Sequence, residues 1–269
     1  TNRDLKWEST SIGDFGIDIT AFNGFNVTFD WYKKRTYDIL REAQSNSLLG
    51  LKAPYINAGE MVNKGIEVSL AYNGYIQEGV FKGLSYNAGI FFDRTRNELT
   101  KYGTDYINST KGLIYKEGLP YESYYGYEAI GIFKDEADVA NSPKQFNDKT
   151  LPGDIKYADI NGDGLINSGD IVAIGSTTKP NLVYGFGLSA KWKGLDVNMH
   201  FQGAGKSSFF INGTTVHMFS GGDGWGNVLK EMAEGNRWIL GVNEDPNAEY
   251  PRLSYGSNSN NELQSSYWL

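Results

Sequence analysis

Apolar and polar side chains alternate strictly along several stretches of this chain. Phe15, Ile17, Ile19 and Ala21 are separated by Gly16, Asp18 and Thr20. Phe25, Val27, Phe29 and Trp31 are separated by Asn26, Thr28 and Asp30. The same holds for Ile66–Tyr72, for Leu84–Phe92, and for Tyr184–Trp192 followed by Leu195–Gln202. A period of two places successive side chains on opposite faces of an extended chain, so each stretch predicts a two-faced β-strand. Asn23-Gly24 and Lys193-Gly194 predict tight hairpin turns, because Asn and Gly tolerate positive φ. Thr36–Leu40 is able to prolong the second strand. From Arg94 to about Pro180 the period is lost, apart from a short helix expected near Asp135–Ala140. A second short helix is expected at Asn227–Glu234, stopped by Gly235.

The strands form three hairpins with short or modest turns, joined by connections of about 30 and 85 residues, lengths that are rare inside compact domains. Short turns on one side and long loops on the other are the arrangement of outer-membrane barrels. Strands of about 9–11 residues fit the same picture. The apolar face ends in Trp31, Tyr72, Tyr184 and Trp192, as interfacial aromatic girdles do. The opposite face carries Asp18, Asp30, Glu67, Asp93, Asp196, Asn198, His200 and Gln202, which suits a wet lumen. Alternation alone fits a soluble β-sandwich equally well, with one face of each sheet in the core. The loop lengths and aromatic ends favour an antiparallel transmembrane β-barrel. A sheet with open edges cannot sit in lipid, since its unpaired amides find no water. So few strands are therefore expected to be part of a larger barrel.

Composition narrows this only slightly. With 33 Gly and 18 Tyr in 269 residues, strands and turns are favoured over helices. No run approaches about 18 apolar residues, which excludes a transmembrane helix but not a transmembrane barrel. A net charge of −7 argues against nucleic acid as a partner. The absence of Cys removes disulfides and thiolate metal sites. Thr1–Leu5 does not read as a signal peptide, so the chain is expected either to stay inside the cell or to be part of a longer protein.

The sharpest chemical signal runs from Asp159 to Asp170. Asp159, Asn161 and Asp163 alternate, Gly164 follows at the sixth position, and Asp170 closes the twelfth. That is the spacing of an EF-hand-type calcium loop, with hard oxygen donors for a hard cation. The ligand set would be Asp159, Asn161, Asp163, the carbonyl of Leu165, Asn167 directly or through water, and Asp170. Asp at the last position has a shorter reach than Glu, and no flanking helix pair is evident. An Asx-rich turn that holds itself together is the competing reading. A bound calcium would have a structural role. Tyr121, Tyr124, Tyr125, Tyr127 and Trp225 are candidates for stacking on sugar rings, although loop packing explains them as well. His200 and His217 lie far apart and make no zinc site. No nucleophile–base arrangement and no glycosidase carboxylate pair can be argued, so no enzymatic activity is expected.

Several segments, in order, resemble one family. Asn2-Arg3-Asp4-Leu5-Lys6-Trp7-Glu8 is similar to an N-P-x-L-K-W-E segment, with Arg3 in place of Pro. Asn57-Ala58-Gly59 through Asn63-Lys64-Gly65-Ile66-Glu67 is similar to an N-x-G-x-x-x-N-K-G-x-E run. Glu117-Gly118-Leu119-Pro120 through Gly126-Tyr127, Gly153 through Asp170 with Gly175, Tyr250-Pro251-Arg252, and Tyr267-Trp268-Leu269 fit in turn. Together they resemble the C-terminal barrel portion of the SusC/RagA family of TonB-linked outer-membrane proteins of Bacteroidetes. The resemblance implies that residues 1–269 are part of a large plugged barrel in the outer membrane. Residues 94–180 and 204–269 would then be extracellular loop regions, and the plug domain would be absent. It also implies import of oligosaccharides or peptides, energised by TonB, under a SusD-like surface lipoprotein. The alternatives are a soluble β-sandwich carbohydrate-binding module with structural calcium and, last, a secreted glycoside hydrolase fragment.

Overall fold

The computed structural model describes residues 5–22, 24–43, 53–146, 149–220 and 226–269. Strands β1 (Ser9–Ala21), β2 (Phe25–Glu42), β3 (Tyr55–Tyr75) and β4 (Ser85–Lys101) come first. Short strands follow: β5 (Tyr106–Asn108), β6 (Leu113–Tyr115), β7 (Ser123–Gly126), β8 (Ala129–Ile132), β9 (Lys144–Gln145), β10 (Ile155–Tyr157), β11 (Leu165–Ile166) and β12 (Val172–Ala173). The last hairpin is β13 (Leu182–Trp192) and β14 (Leu195–Gly205). Among the described residues the α-helices, α1 (Glu136–Ala140) and α2 (Lys230–Glu234), are single turns. Among the described residues no helix is long and apolar enough to cross a membrane.

The chain divides into two compact units. The first holds Thr1–Ile107, Ile114–Glu122 and Ser176–Ser208. Its centre is a six-stranded antiparallel sheet in the order β1-β2-β3-β4-β13-β14. Every pair in it is antiparallel, and among the described residues β1 and β14 do not pair with each other. The Lys193-Gly194 turn is as expected: φ is 46° and 84°, the two positive values of a type I′ turn. The other expected turn residue, Asn23, lies outside the described residues.

Three of the strands run much longer than their alternation suggested. β2, β3 and β4 have 18, 21 and 17 residues, against an expected 9–11. Thr36–Leu40 does prolong β2, and residues 94–101, expected in a loop, are strand. Beyond the apolar stretch both faces of β2 and β4 are mostly polar, and on β3 apolar residues fall on both faces, so the period of two continues unseen in the hydropathy pattern.

The second unit holds Asn108–Leu113, Ser123–Gly175 and Phe209–Leu269. It has a dry centre of ordinary kind, with Ile155, Tyr157, Ile166, Met218, Met232 and Trp268 all buried together. A smaller cluster joins Ile132, Trp238 and Ala248. Among its strands, β10 pairs with β8, β11 with β9 in parallel, and β12 with β7. α1 starts where Asp135 accepts the Asp138 amide at 2.8 Å. α2 is shorter than expected, because Leu229 at its N-cap has no side chain to satisfy the first amides.

Candidate functional site

The register of the sheet gathers the alternating residues into rows. Ile17, Phe29, Val68, Phe92 and Tyr184 form one row across five strands. Ile19, Val27, Leu70, Ile90, Phe186 and Phe201 form the next, across all six. Ala21, Phe25, Tyr72, Ala88, Leu188 and Met199 form a third. None of these residues is buried. Ile90 is 54% exposed, Leu188 44% and Val197 42%, although each sits in the middle of an apolar face. A soluble sandwich would bury such a face under a second sheet. β13 has 11 residues, so the band is about 36 Å along a strand and about 25–28 Å once tilted as barrel strands are. That equals the height of a barrel's lipid-facing band.

Aromatic residues mark the turn-side edge of the band. Tyr72 and Tyr86 pack at 6.0 Å, and Trp192 meets Phe81 at 5.7 Å. The Trp192 indole also donates to the Lys82 carbonyl at 3.2 Å. The opposite face is polar, with Asp30, Glu67 and Asp93 directly opposite one another on β2, β3 and β4. His200, placed there by its parity, stacks on Phe91 at 6.3 Å.

Segments that look unrelated in sequence meet in space. The Lys6 amide donates to Asn57 Oδ1 at 2.9 Å, and Asn57 Nδ2 returns a bond to the Lys6 carbonyl at 2.7 Å. Asn97 Nδ2 donates to Asn63 Oδ1 at 2.7 Å, while its Oδ1 accepts the Tyr121 amide at 2.6 Å. In the second unit Arg252 Nε donates to Asp154 Oδ1 at 2.7 Å, and the Arg252 amide donates to the Gly153 carbonyl at 2.8 Å. Asp154 is 1% exposed, and it also accepts from Asn261 at 2.9 Å, Asn258 at 3.1 Å and the Leu151 amide at 2.9 Å. Gln145 and Asn260 extend this buried polar knot to the Ile155 carbonyl, at 2.9 and 2.8 Å.

Loop 159–170 is closed by its own backbone. Asp170 is buried and accepts the amides of Ile160, Asn161 and Asn167 at 2.9, 3.3 and 2.8 Å. Burial alone would raise its pKa; the amides of Asn167, Ile160 and Asn161 outweigh that and hold it below the usual range. Asp159 accepts from Gly162 and Gly164 at 2.7 and 2.8 Å, and Asp163 accepts from Leu165 at 2.8 Å. Asn167 accepts from Gly169 at 2.7 Å. Among the described residues no three His, Cys, Asp or Glu side chains converge as a metal cluster. The donor chemistry still suits a hard cation, because both Asp159 oxygens and Asp163 Oδ1 each accept one backbone amide and keep a second lone pair.

The candidate aromatic residues separate. Tyr121, 41% exposed, belongs to the first unit and packs edge-on at 5.1 Å against Tyr115. Tyr102 and Tyr106 also pack on Tyr115, at 5.8 and 5.7 Å, which makes a four-tyrosine cluster that sequence spacing did not reveal. Tyr124, Tyr125 and Tyr127 belong to the second unit. Tyr124 is buried, and Tyr127 packs on Phe146 and Tyr157 at 4.9 and 5.6 Å. Trp225 lies outside the described residues. His217 is buried edge-on against Trp268 at 4.9 Å, and burial pushes its pKa down, opposed by Glu262. A cleft of about 560 Å³, also unforeseen, is lined by Leu151, Trp238, Ile239, Leu240 and Arg252 among others.

No family model matches the chain. It is 29% identical over 231 residues to TonB-dependent receptor P3 of Formosa agariphila, which covers 82% of this chain and 22% of that protein. TonB-dependent receptor P26 of the same organism is 26% identical over 99% of this chain and 26% of its own length. TonB-dependent receptor SusC of Bacteroides thetaiotaomicron is 27% identical over 63% of this chain and 17% of its own length. The structure of the RagAB peptide transporter matches with a TM-score of 0.70, at 24% identity, over 97% of this chain and 27% of that one. Its closed-closed state matches with a TM-score of 0.61 at 26% identity, over 82% of this chain and 23% of that one.

The chain is similar to a segment of SusC/RagA-type TonB-dependent receptors.

It spans about a quarter of the length of these two curated relatives from Formosa agariphila. The SusC/RagA resemblance read from the motifs is therefore upheld, and so is the largely antiparallel β architecture. Among the described residues the six-stranded sheet does not close on itself.

Proposed function

We propose that this SusC/RagA-type segment supplies wall strands and external loops to an outer-membrane TonB-dependent importer. The single observation that carries the reading is the uncovered apolar face, a band of barrel height with an aromatic edge. TonB would act through a plug domain outside these residues, and a SusD-like surface lipoprotein would cover the outer mouth. The substrate class is oligosaccharide or peptide. Tyr106 and Tyr121, 45% and 41% exposed within the tyrosine cluster, offer flat faces for a sugar ring or a peptide side chain. The relatives are named receptors and transporters, which supports transport without chemistry on the substrate. The test is solvent dependence. The full-length receptor is expected in the outer-membrane fraction and monodisperse only with detergent; a monodisperse sample in plain buffer would remove this reading and restore the soluble sandwich.

We also propose calcium as a structural brace for loop 159–170, held by Asp159, Asn161, Asp163 and the Leu165 carbonyl. Asn167 and Asp170 would complete the set, Asp170 chiefly by closing the loop through its three amides. The support is the oxygen-only donor row; the self-closed hydrogen bonding weighs against it. At a hundredfold excess over Kd, calcium is expected to stabilise the loop unit by about 2–3 kcal/mol, read as a raised unfolding midpoint relative to chelator. Identical midpoints and identical proteolysis within 159–170 in calcium and in chelator would sink it.

A further inference from the structure

The apolar face changes character abruptly on its long-loop side. One row beyond Trp31 and Ile66, the same face carries Lys33, Lys64 and Arg96, each directly opposite the next on β2, β3 and β4. Arg94 sits beside them, opposite Ile66 on β3 and Leu182 on β13. All four side chains are exposed. Like charges directly opposite on neighbouring strands repel, so the row is destabilising unless an anion joins it. Among the described residues none of the four has an ion-pair partner. Arg35, one row farther out, is different: Glu60 takes it at 2.6 Å. Glu98 stands on that outer row too and pairs with none of the four.

Position decides what the anion is. Two residues along a strand are about 6.6 Å, so the cations begin within one step of the oily band. A free solute anion would have no need of that adjacency, whereas a lipid has it built in, with acyl chains on the band and a headgroup at its rim. The hairpin turns lie at the opposite end of the strands, so the cations belong to the long-loop, outward-facing side. Arg grips phosphate oxygens two at a time, and Lys adds a flexible point charge whose stem lies along apolar surface.

We propose that Lys33, Lys64, Arg94 and Arg96 form a headgroup site for a phosphorylated outer-leaflet lipid whose chains lie on the Phe29–Val68 row. The inference rests on the membrane reading above and adds a ligand to the outside of the barrel, away from the transported substrate.

The experiment is native mass spectrometry of the full-length receptor loaded with phosphorylated lipid A, or with the same lipid after removal of its phosphates. The variants are K33A/K64A/R94A/R96A and a milder K64Q/R96Q, with K34A as the control, since Lys34 points to the opposite face. The wild type and K34A are expected to retain the phosphorylated lipid. The quadruple variant should retain about tenfold less or lower, with an intermediate loss for K64Q/R96Q, and dephosphorylated lipid should not distinguish the proteins. Equal retention by wild type and by a variant that is still folded and inserted would overturn the site. So would full displacement of the lipid by inorganic phosphate, which would mark a site for the free ion. Neither result touches the membrane reading, which the detergent dependence of the receptor tests separately.

Discussion

Replacing Asp154 with alanine is expected to unfold the second unit, at a cost of about 3–5 kcal/mol. Removing one partner of a buried ion pair leaves the other charge without compensation, and that residue charge, more than the lost attraction, sets the size of the effect. Arg252 keeps 22% side-chain exposure, so part of its charge would be solvated, which pulls the value down. The loss of acceptors for Asn261, Asn258 and the Leu151 amide pulls it up, because each becomes an unsatisfied donor. Arg252→Lys should cost less, about 1–2 kcal/mol, since a charge remains and the fork to the two carboxylate oxygens is lost. Limited proteolysis of the purified receptor provides the readout, with cleavage expected in 123–175 and 209–269 for Asp154→Ala. An unchanged cleavage pattern would show that the knot does not hold the unit together.

The second large effect is expected at Ile90. On a soluble protein a side chain 54% exposed is an ordinary surface position, where most substitutions stay within about 0.5 kcal/mol. On a lipid-facing band the same position is near the midplane, and Ile90→Arg should cost about 2–4 kcal/mol. Ser69→Arg is the matched control: Ser69 is exposed on the opposite face, in the row of Thr28 and Phe91. It should be nearly neutral. Urea unfolding in lipid vesicles separates the two, and equal midpoints for both variants would mean that the apolar face does not meet lipid.

The two halves of the chain differed in how much of them could be read. In the sheet, alternation announced the apolar residues Phe15 to Trp31 and Leu188 to Phe201 because only one face is oily. The same rule failed from Arg94 to Lys101, where both faces are mostly polar, and from Tyr55 to Asn63, where apolar residues fall on both faces and no clean alternation results. The tyrosines show a related limit. Tyr121 and Tyr124 are near neighbours in sequence, yet one belongs to a half-open aromatic cluster and the other is buried in a different unit. Asp154 and Arg252 each stood inside a recognised motif, but nothing local said that they would meet.

The sequence by itself determined the strand faces, the tight turn at Lys193-Gly194, the oxygen-rich loop and the SusC/RagA resemblance. Each of these depends on neighbours a few residues apart, where backbone geometry dictates the spacing. Only the tertiary structure decided that the oily rows line up across six strands without a cover, that Lys33, Lys64 and Arg96 fall side by side, and that Asp154 is neutralised by Arg252. Those outcomes depend on strand register and long-range packing, which are set by the whole assembly of contacts and leave no mark at any one position.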